Sequence, residues 1–275
     1  ISLEDGTVET AVGGPGGAVR PAPSPDGSKL AFVKRVRAKS RLFVKDLGTG
    51  ELTMLDDDLD HDMQEGWAVH GLYPNMDWTP DSREIVYWSR GKIWRMDVAS
   101  GEKAEIPFHV QDTRTVYAPP RFKVDVAPDV FRTRMVRFAT PSPDGKSVVF
   151  ESLGSLYIKS GEGEARKLTR GGDYGFELSP IWSPDGKTIY FITWDDEKLG
   201  SIQRVSARGG KPKAVLSEPG HYADLAINDA GDTLLYRKRG GGYLLDDTHD
   251  EGQGVYRMPA KGGTPQLVTK EGDAP

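Results

Sequence analysis

Four aspartates at alternate positions, Asp56, Asp58, Asp60 and Asp62, have the carboxylate spacing with which a loop can surround a hard cation. A calcium loop of that kind also needs glycine at its sixth place and a bidentate glutamate at its twelfth. Counted from Asp56, those places hold His61 and Trp67, so the run reads as a solvated acidic loop. The five histidines, His61, His70, His109, His221 and His249, include no His-x-His pair. A metal-dependent hydrolase barrel places such a pair on one strand to hold a divalent ion and activate water. No Gly-x-Ser-x-Gly elbow presents a nucleophilic serine, and Leu153-Gly154-Ser155-Leu156 has the composition of a hairpin. Cysteine is absent, which removes disulfides, thiolate metal sites and thiol nucleophiles together. Gly13-Gly14-Pro15-Gly16-Gly17 and Gly240-Gly241-Gly242 lack the lysine and following helix of a phosphate loop. The expectation is a segment with no catalytic residue, no metal site and no cofactor of its own.

What remains are candidates for binding or domain contact. One long insertion holds Trp67, His70 and Tyr73, residue types that either pack on their own unit or touch a partner. A second, from His109 through Arg134, brings Arg114, Tyr117, Arg121 and Phe122, with Pro119 and Pro120 holding it extended. The two enter neighbouring units and are expected to share one surface. His221 and Tyr222 stand just before the expected innermost strand of the fifth unit, at a channel mouth; a hydrogen-bonded structural histidine is the competing reading of His221. Asp246, Asp247, Asp250 and Glu251 mark an exposed loop in the last unit.

The elements that must carry these side chains announce themselves by repetition. Ser24-Pro25-Asp26-Gly27 recurs as Thr79-Pro80-Asp81-Ser82, Ser142-Pro143-Asp144-Gly145 and Ser183-Pro184-Asp185-Gly186, with a degenerate copy at Asn228-Asp229-Ala230-Gly231. The copies are 55, 63, 41 and 45 residues apart, which gives a basic unit of about 43. Proline presets the second position of a type I turn, aspartate suits the third, and glycine takes the left-handed conformation after it. The turn aspartates are therefore read as bonding nearby amides. After each turn comes an alternating strand, such as Lys29–Val33 or Thr188–Ile192, then a second such as Arg41–Val44 or Ser201–Val205. A glycine turn follows, and a last strand such as Leu52–Leu55 or Pro265–Val268. With the apolar segment that precedes each turn, this makes four antiparallel strands per unit.

Units of that kind, with no helical segments between them, predict an all-β chain, a β-propeller of four-stranded blades. Setting aside about 12 and 20 residues of insertion, near 56–75 and 109–135, leaves five to six blades in a single domain over 1–275, six or seven when complete. Thr7-Val8-Glu9-Thr10 reads as the outer strand of an earlier blade. The start at Ile1 without methionine or leader, and the stop at Asp273-Ala274-Pro275, read as a piece of something longer.

Composition narrows the function classes. Among 275 residues, 37% hydrophobic and 9% aromatic content is enough for a core. With 36 basic and 41 acidic residues the net charge is −5, and no basic run offers a surface for nucleic acid. No apolar stretch is long enough to span a membrane as a helix.

The Ser-Pro-Asp-Gly turn followed by an alternating strand resembles the TolB-like repeat, also called the WD40-like repeat of the PD40 type. Within that group the chain is most similar to the N-terminal propeller region of large bacterial amidohydrolases. The residues that carry this are Asp60 to Met76 running into Asp77-Trp78-Thr79-Pro80-Asp81, Ile106-Pro107-Phe108 to Asp112-Thr113-Arg114, and Arg132 to Phe138. The resemblance implies a non-catalytic propeller that braces or gates a barrel hydrolysing carbon–nitrogen bonds other than peptide bonds. Outside these 275 residues that barrel would hold a divalent metal, zinc. It also implies a periplasmic or secreted location. A TolB-like protein-interaction module of the cell envelope is the alternative, with an envelope protein as partner, and the propeller of a prolyl oligopeptidase type peptidase is the third.

Overall fold

The computed structural model describes residues 2–14, 16–37, 39–60, 74–170, 175–240 and 252–270. The described residues contain strands and no helix. Two compact units divide them, one running up to Lys123 and the other from Val124.

The first unit holds two four-stranded antiparallel sheets: β1 (Val19–Pro23), β2 (Lys29–Val36), β3 (Lys39–Asp46) and β4 (Leu52–Asp56), then β5 (Met76–Trp78), β6 (Glu84–Ser89), β7 (Lys92–Asp97) and β8 (Lys103–Ile106). The second begins with β9 (Arg137–Pro141), β10 (Ser147–Ser152), β11 (Ser155–Ser160) and β12 (Arg166–Lys167). It continues with β13 (Phe176–Trp182), β14 (Thr188–Trp194), β15 (Gly200–Ser206), β16 (Lys213–Ile227), β17 (Thr233–Arg239), β18 (Gly254–Pro259) and β19 (Gln266–Lys270). These last seven strands are two blades sharing one strand. Lys213–Leu216 of β16 pairs with β15 as the outer strand of the fourth blade, and His221–Ile227 pairs with β17 as the inner strand of the fifth. Five four-stranded blades are thus present among the described residues, in the order in which the repeats occur.

Each blade is opened by the predicted turn, and the bonding explains the residue types. In the first copy the Ser24 hydroxyl donates to Asp26 at 2.7 Å and accepts the Lys29 amide at 2.9 Å, while Asp26 accepts the Ser28 amide at 2.9 Å. The same lattice recurs at Thr79, Ser142 and Ser183. These bonds hold the Asp26 carboxyl down at about 2, led by the Ser24 hydroxyl, so it stays a charged acceptor. The degenerate copy swaps parts: the Asn228 amide oxygen takes the serine's place, accepting the Thr233 amide at 3.1 Å. Gly27, Gly145, Gly186 and Gly231 have φ of 72°, 71°, 68° and 71°; Ser82 fills the same left-handed place at 60°.

A second repeated device is silent in the residue types. Four residues before the turn, Arg20, Phe138, Ser179 and Asp224 stand at φ of 56°, 53°, 49° and 51°. The inner-strand register slips at each, a β-bulge that bends the strand. A third device joins neighbours. The Trp78 indole donates to the Ala22 carbonyl at 2.8 Å and that of Trp182 to the Thr140 carbonyl at 3.0 Å, each tying one blade to the one before.

The core lies between blades. In the first unit Ala31, Val33, Leu42 and Val44 meet Trp78, Ile85, Tyr87 and Met96. In the second, the fourth blade is flanked on both faces: Ile189 and Phe191 pack towards Val149 and Leu156, whereas Tyr190 and Ile192 pack towards Leu234 and Tyr236. Five consecutive residues of β14 are therefore buried, where β6 alternates buried and half-buried. Each fully buried side chain of this size stabilises by about 2 kcal/mol.

Two expectations need correction. Residues 7–10 form no strand and are exposed, because a single short β-prone run without a hydrogen-bonded neighbour cannot satisfy its backbone except with water. His221 and Tyr222 lie inside β16 and not before the innermost strand, because β16 passes from one blade to the next without a turn.

Candidate functional site

The site lies in the second unit, at the end of the third blade opposite its Ser-Pro-Asp-Gly turn. Two residues, Leu153 and Gly154, join β10 to β11 with φ of 53° and 78°, the left-handed turn whose twist matches the paired strands. Glycine is required for a second reason: a Cβ at Gly154 would come within 2.9 Å of the Phe176 ring. Leu153 adopts the same conformation at a cost of about 1 kcal/mol, with 69% of its surface exposed.

One residue before the end of β10, Glu151 is 1% exposed in a strand otherwise made of serine, valine and phenylalanine. Its Oε1 accepts the Gly154 amide at 2.6 Å and its Oε2 accepts Nε of Arg137, from β9, at 2.6 Å. Burial pushes the Glu151 carboxyl up, but Arg137 and the Gly154 amide outweigh it and hold it below the usual range. Glu177, on β13 of the next blade, is buried in the same way. Its Oε2 accepts the Leu156 amide at 2.8 Å and the Thr169 hydroxyl at 2.9 Å, and its own amide donates to the Gly154 carbonyl at 3.0 Å. Two carboxylates thus brace one hairpin from either side.

The stretch entering β9 closes over this hairpin. Thr133 anchors it, with its hydroxyl 2.8 Å from that of Ser152 and donating to the Met135 carbonyl at 3.1 Å. Between the stretch and the hairpin lies a hollow of about 1030 Å³ walled by Phe131, Met135, Leu153 and Phe176, with Arg132, Arg134 and Arg137 on its lining. Arg137 is engaged with Glu151; among the described residues no carboxylate pairs with Arg132 or Arg134. On its lining, Glu151 is already bonded to Arg137 and the Gly154 amide, and the Thr133 hydroxyl to Ser152. What the hollow offers is positive charge beside apolar wall.

The residues expected from the sequence fall elsewhere. Arg114 and Tyr117 lie on the exposed insertion, Arg114 paired with Asp112 and Tyr117 85% exposed. Arg121 and Phe122 are exposed with them, and none of the four is brought to the hollow. His221 packs at 5.3 Å against the Trp194 ring, tilted by 51°. Tyr222 is 4% exposed and donates to the Glu218 carbonyl at 2.7 Å; burial pushes its phenol up, so it stays a neutral donor in the core. Trp67, His70 and Tyr73, the surface they were expected to share with the second insertion, and the acidic run from Asp246 to Glu251 lie outside the described residues.

The acidic run at Asp56 needs a correction. The residue types predict a solvated run, yet Asp56 is buried, accepting from Lys103 Nζ at 2.7 Å, from the Tyr87 hydroxyl, and from the Asp58 amide at 2.9 Å. Burial opposes its charge, and Lys103 and Tyr87 more than restore it, so its carboxyl too sits low. Asp58 pairs with Arg90 at 2.8 Å and Asp60 accepts the Arg90 amide at 2.9 Å. These aspartates fasten the first blade to the second. Among the described residues no three His, Asp or Glu side chains form a group that could hold a metal ion.

Sequence reasoning passed over Arg132, Arg134, Arg137 and Glu151 as site residues. The available signals were a lone glutamate in an apolar strand and three arginines within six positions.

No family model matches the chain. Among curated proteins, dipeptidyl-peptidase 5 of Porphyromonas gingivalis is 25% identical over 208 residues, 72% of this chain, and the chain spans 27% of that protein's length. Among solved structures, a putative TolB from Agrobacterium tumefaciens is similar over 92% of this chain and 80% of its own, at 18% identity and a TM-score of 0.40. The propeller domain of the trilobed protease from Pyrococcus furiosus matches 94% of this chain and 85% of its own, at 17% identity and a TM-score of 0.36. An oligogalacturonate lyase in complex with manganese matches 91% and 76%, at 14% identity and a TM-score of 0.38. Antiparallel four-strand meanders, four opened by a serine- or threonine-led turn and the fifth by its asparagine-led variant, make up the described strands. The described strands form four-stranded propeller blades.

Proposed function

We propose that this chain is the non-catalytic TolB-like propeller of a larger hydrolase, an amidohydrolase acting on carbon–nitrogen bonds other than peptide bonds, and that it docks the catalytic domain of the same polypeptide. The observation that carries the docking role is the segment between β8 and β9. Residues 107–136 form neither strand nor helix and are exposed throughout. Arg121-Phe122-Lys123-Val124-Asp125-Val126 alternates charged with apolar residues as a strand does, yet pairs with nothing among the described residues; Phe122 is 95% and Val126 90% exposed. A long loop that exposes so much apolar surface is a contact element. The matched curated protein is several times longer than the matched region, which supports a further domain as the occupant. Among the described residues no helix is long and apolar enough to cross a membrane. The amidohydrolase parent rests on the similarity of the insertions around Trp67, Asp112 and Arg134, and a periplasmic or secreted location on the TolB-like repeat.

One observation favours a second reading of the parent: the relative from Porphyromonas gingivalis is a peptidase. The two readings separate in one experiment on the longer polypeptide. Hydrolysis of cyclic amides, abolished by a chelator and restored by zinc, supports the amidohydrolase. Peptide hydrolysis blocked by a fluorophosphonate and indifferent to the chelator overturns it in favour of the serine peptidase. Turnover of either substrate by the 275-residue chain alone overturns the non-catalytic role.

A further inference from the structure

We infer that the hollow between Phe131–Met135 and the Leu153–Gly154 hairpin is a binding site for a small organic carboxylate with an apolar body. This is independent of the parent enzyme's identity.

Four observations meet there. The volume of about 1030 Å³ is in the range of pockets that take whole small molecules. Its walls, Phe131, Met135, Leu153 and Phe176, are apolar, and the four side chains are 50% to 69% exposed. Apolar area left open in that amount favours an occupant that covers it. The charge is lopsided: of three guanidiniums, one is neutralised by Glu151 at 2.6 Å, which leaves Arg132 and Arg134 in excess. Guanidinium forks bind planar carboxylates through paired hydrogen bonds. The hairpin at the rim also holds a leucine in the left-handed region, where asparagine or glycine would sit without strain, and so keeps an apolar side chain at the mouth.

The architecture of the hairpin accounts for Glu151 and Glu177, whose acceptor atoms are occupied by Arg137 and by backbone and hydroxyl donors. It does not account for Arg132 and Arg134. They stand on either side of Thr133, the residue that anchors the stretch to Ser152. An anchored backbone between two free cations is a preorganised arrangement.

The test is titration of the 275-residue chain with N-acetylphenylalanine, followed by calorimetry and ligand-observed NMR. N-acetylphenylalaninamide and inorganic phosphate serve as comparison probes. The expected result is millimolar or tighter binding of the acid, roughly tenfold or more weaker binding of the amide and of phosphate, and loss of acid binding in Arg132→Ala/Arg134→Ala. Both arginines are exposed, so the double variant keeps its unfolding midpoint, which is measured alongside. Phe176→Leu supplies the independent check on the apolar half and weakens the acid without affecting phosphate. Equal binding of acid and amide overturns the role of the arginines. Equal binding of acid and phosphate overturns the apolar half, and binding unchanged in the double arginine variant overturns the location.

Discussion

The junction of the first two blades and the junction of the third and fourth are built alike and left in different states. Both pin neighbouring inner strands with a tryptophan indole, Trp78 on Ala22 and Trp182 on Thr140, and both bury a carboxylate at the other end of the sheet. At the first, Asp56 is matched by Lys103, Tyr87 and the Asp58 amide, and Lys103 also lies 4.4 Å from the Trp94 ring. The buried carboxylate there is fully matched. At the second, Glu151 is matched by Arg137 and the Gly154 amide, and two more arginines stand over an apolar hollow. A buried carboxylate with its partners complete is architecture; cations in excess of it beside open apolar wall mark a place where something else binds.

That contrast is breakable by mutation, and the largest effect belongs to Asp56. Removing it in Asp56→Ala leaves Lys103 and the Tyr87 hydroxyl facing a partly buried vacancy, and stability in urea is expected to fall by about 3 kcal/mol. The same carboxylate sets a pH dependence. Its folded pKa is depressed below the ordinary 3.8, so its contribution is complete above that value and is lost as pH falls through the lower folded one. Asp56→Asn should therefore flatten the decline in stability below pH 4, and an unchanged acid limb would mean that the carboxylate is not charged in the native state.

Glu151→Ala comes next, at about 2 kcal/mol, because it leaves the Gly154 amide unmatched in a buried hairpin. Arg132→Ala should leave the denaturation curve where it was; a loss comparable to that of Glu151→Ala would make Arg132 structural and erase the distinction between the junctions. Trp78→Phe and Trp182→Phe test the shared part. Each removes one indole donor while keeping most of the ring, and each should cost about 1 kcal/mol. A large effect at one and none at the other would show that the two pins are not equivalent. A small gain is expected from Phe138→Asn, which relieves a left-handed aromatic residue and should stabilise by about 0.5 kcal/mol.

How much of this was open to a reader of the residues follows from where the signal sits. The turns declare themselves because proline, aspartate and glycine each have a local reason to be there, and the alternating strands follow from burial on one or both faces. The bulges do not, because Arg20, Phe138, Ser179 and Asp224 share a conformation and no side-chain type. The acidic run misled because local composition says nothing of Lys103, 47 positions away, which makes Asp56 a buried anchor. Thr7 to Thr10 misled because strand propensity without a partner is not a strand. At the site, the arginine-rich stretch was visible, but its meaning depends on Glu151 and on Phe176, brought close by the β10–β11 hairpin and the next blade.

If the segment between β8 and β9 docks a further domain, as proposed, amide hydrogen exchange across residues 121–126 reports it. Exchange at the rate of unpaired backbone is expected in the 275-residue chain, and slowing of roughly tenfold or more in a longer polypeptide bearing the proposed catalytic domain. Equal exchange in both would contradict it.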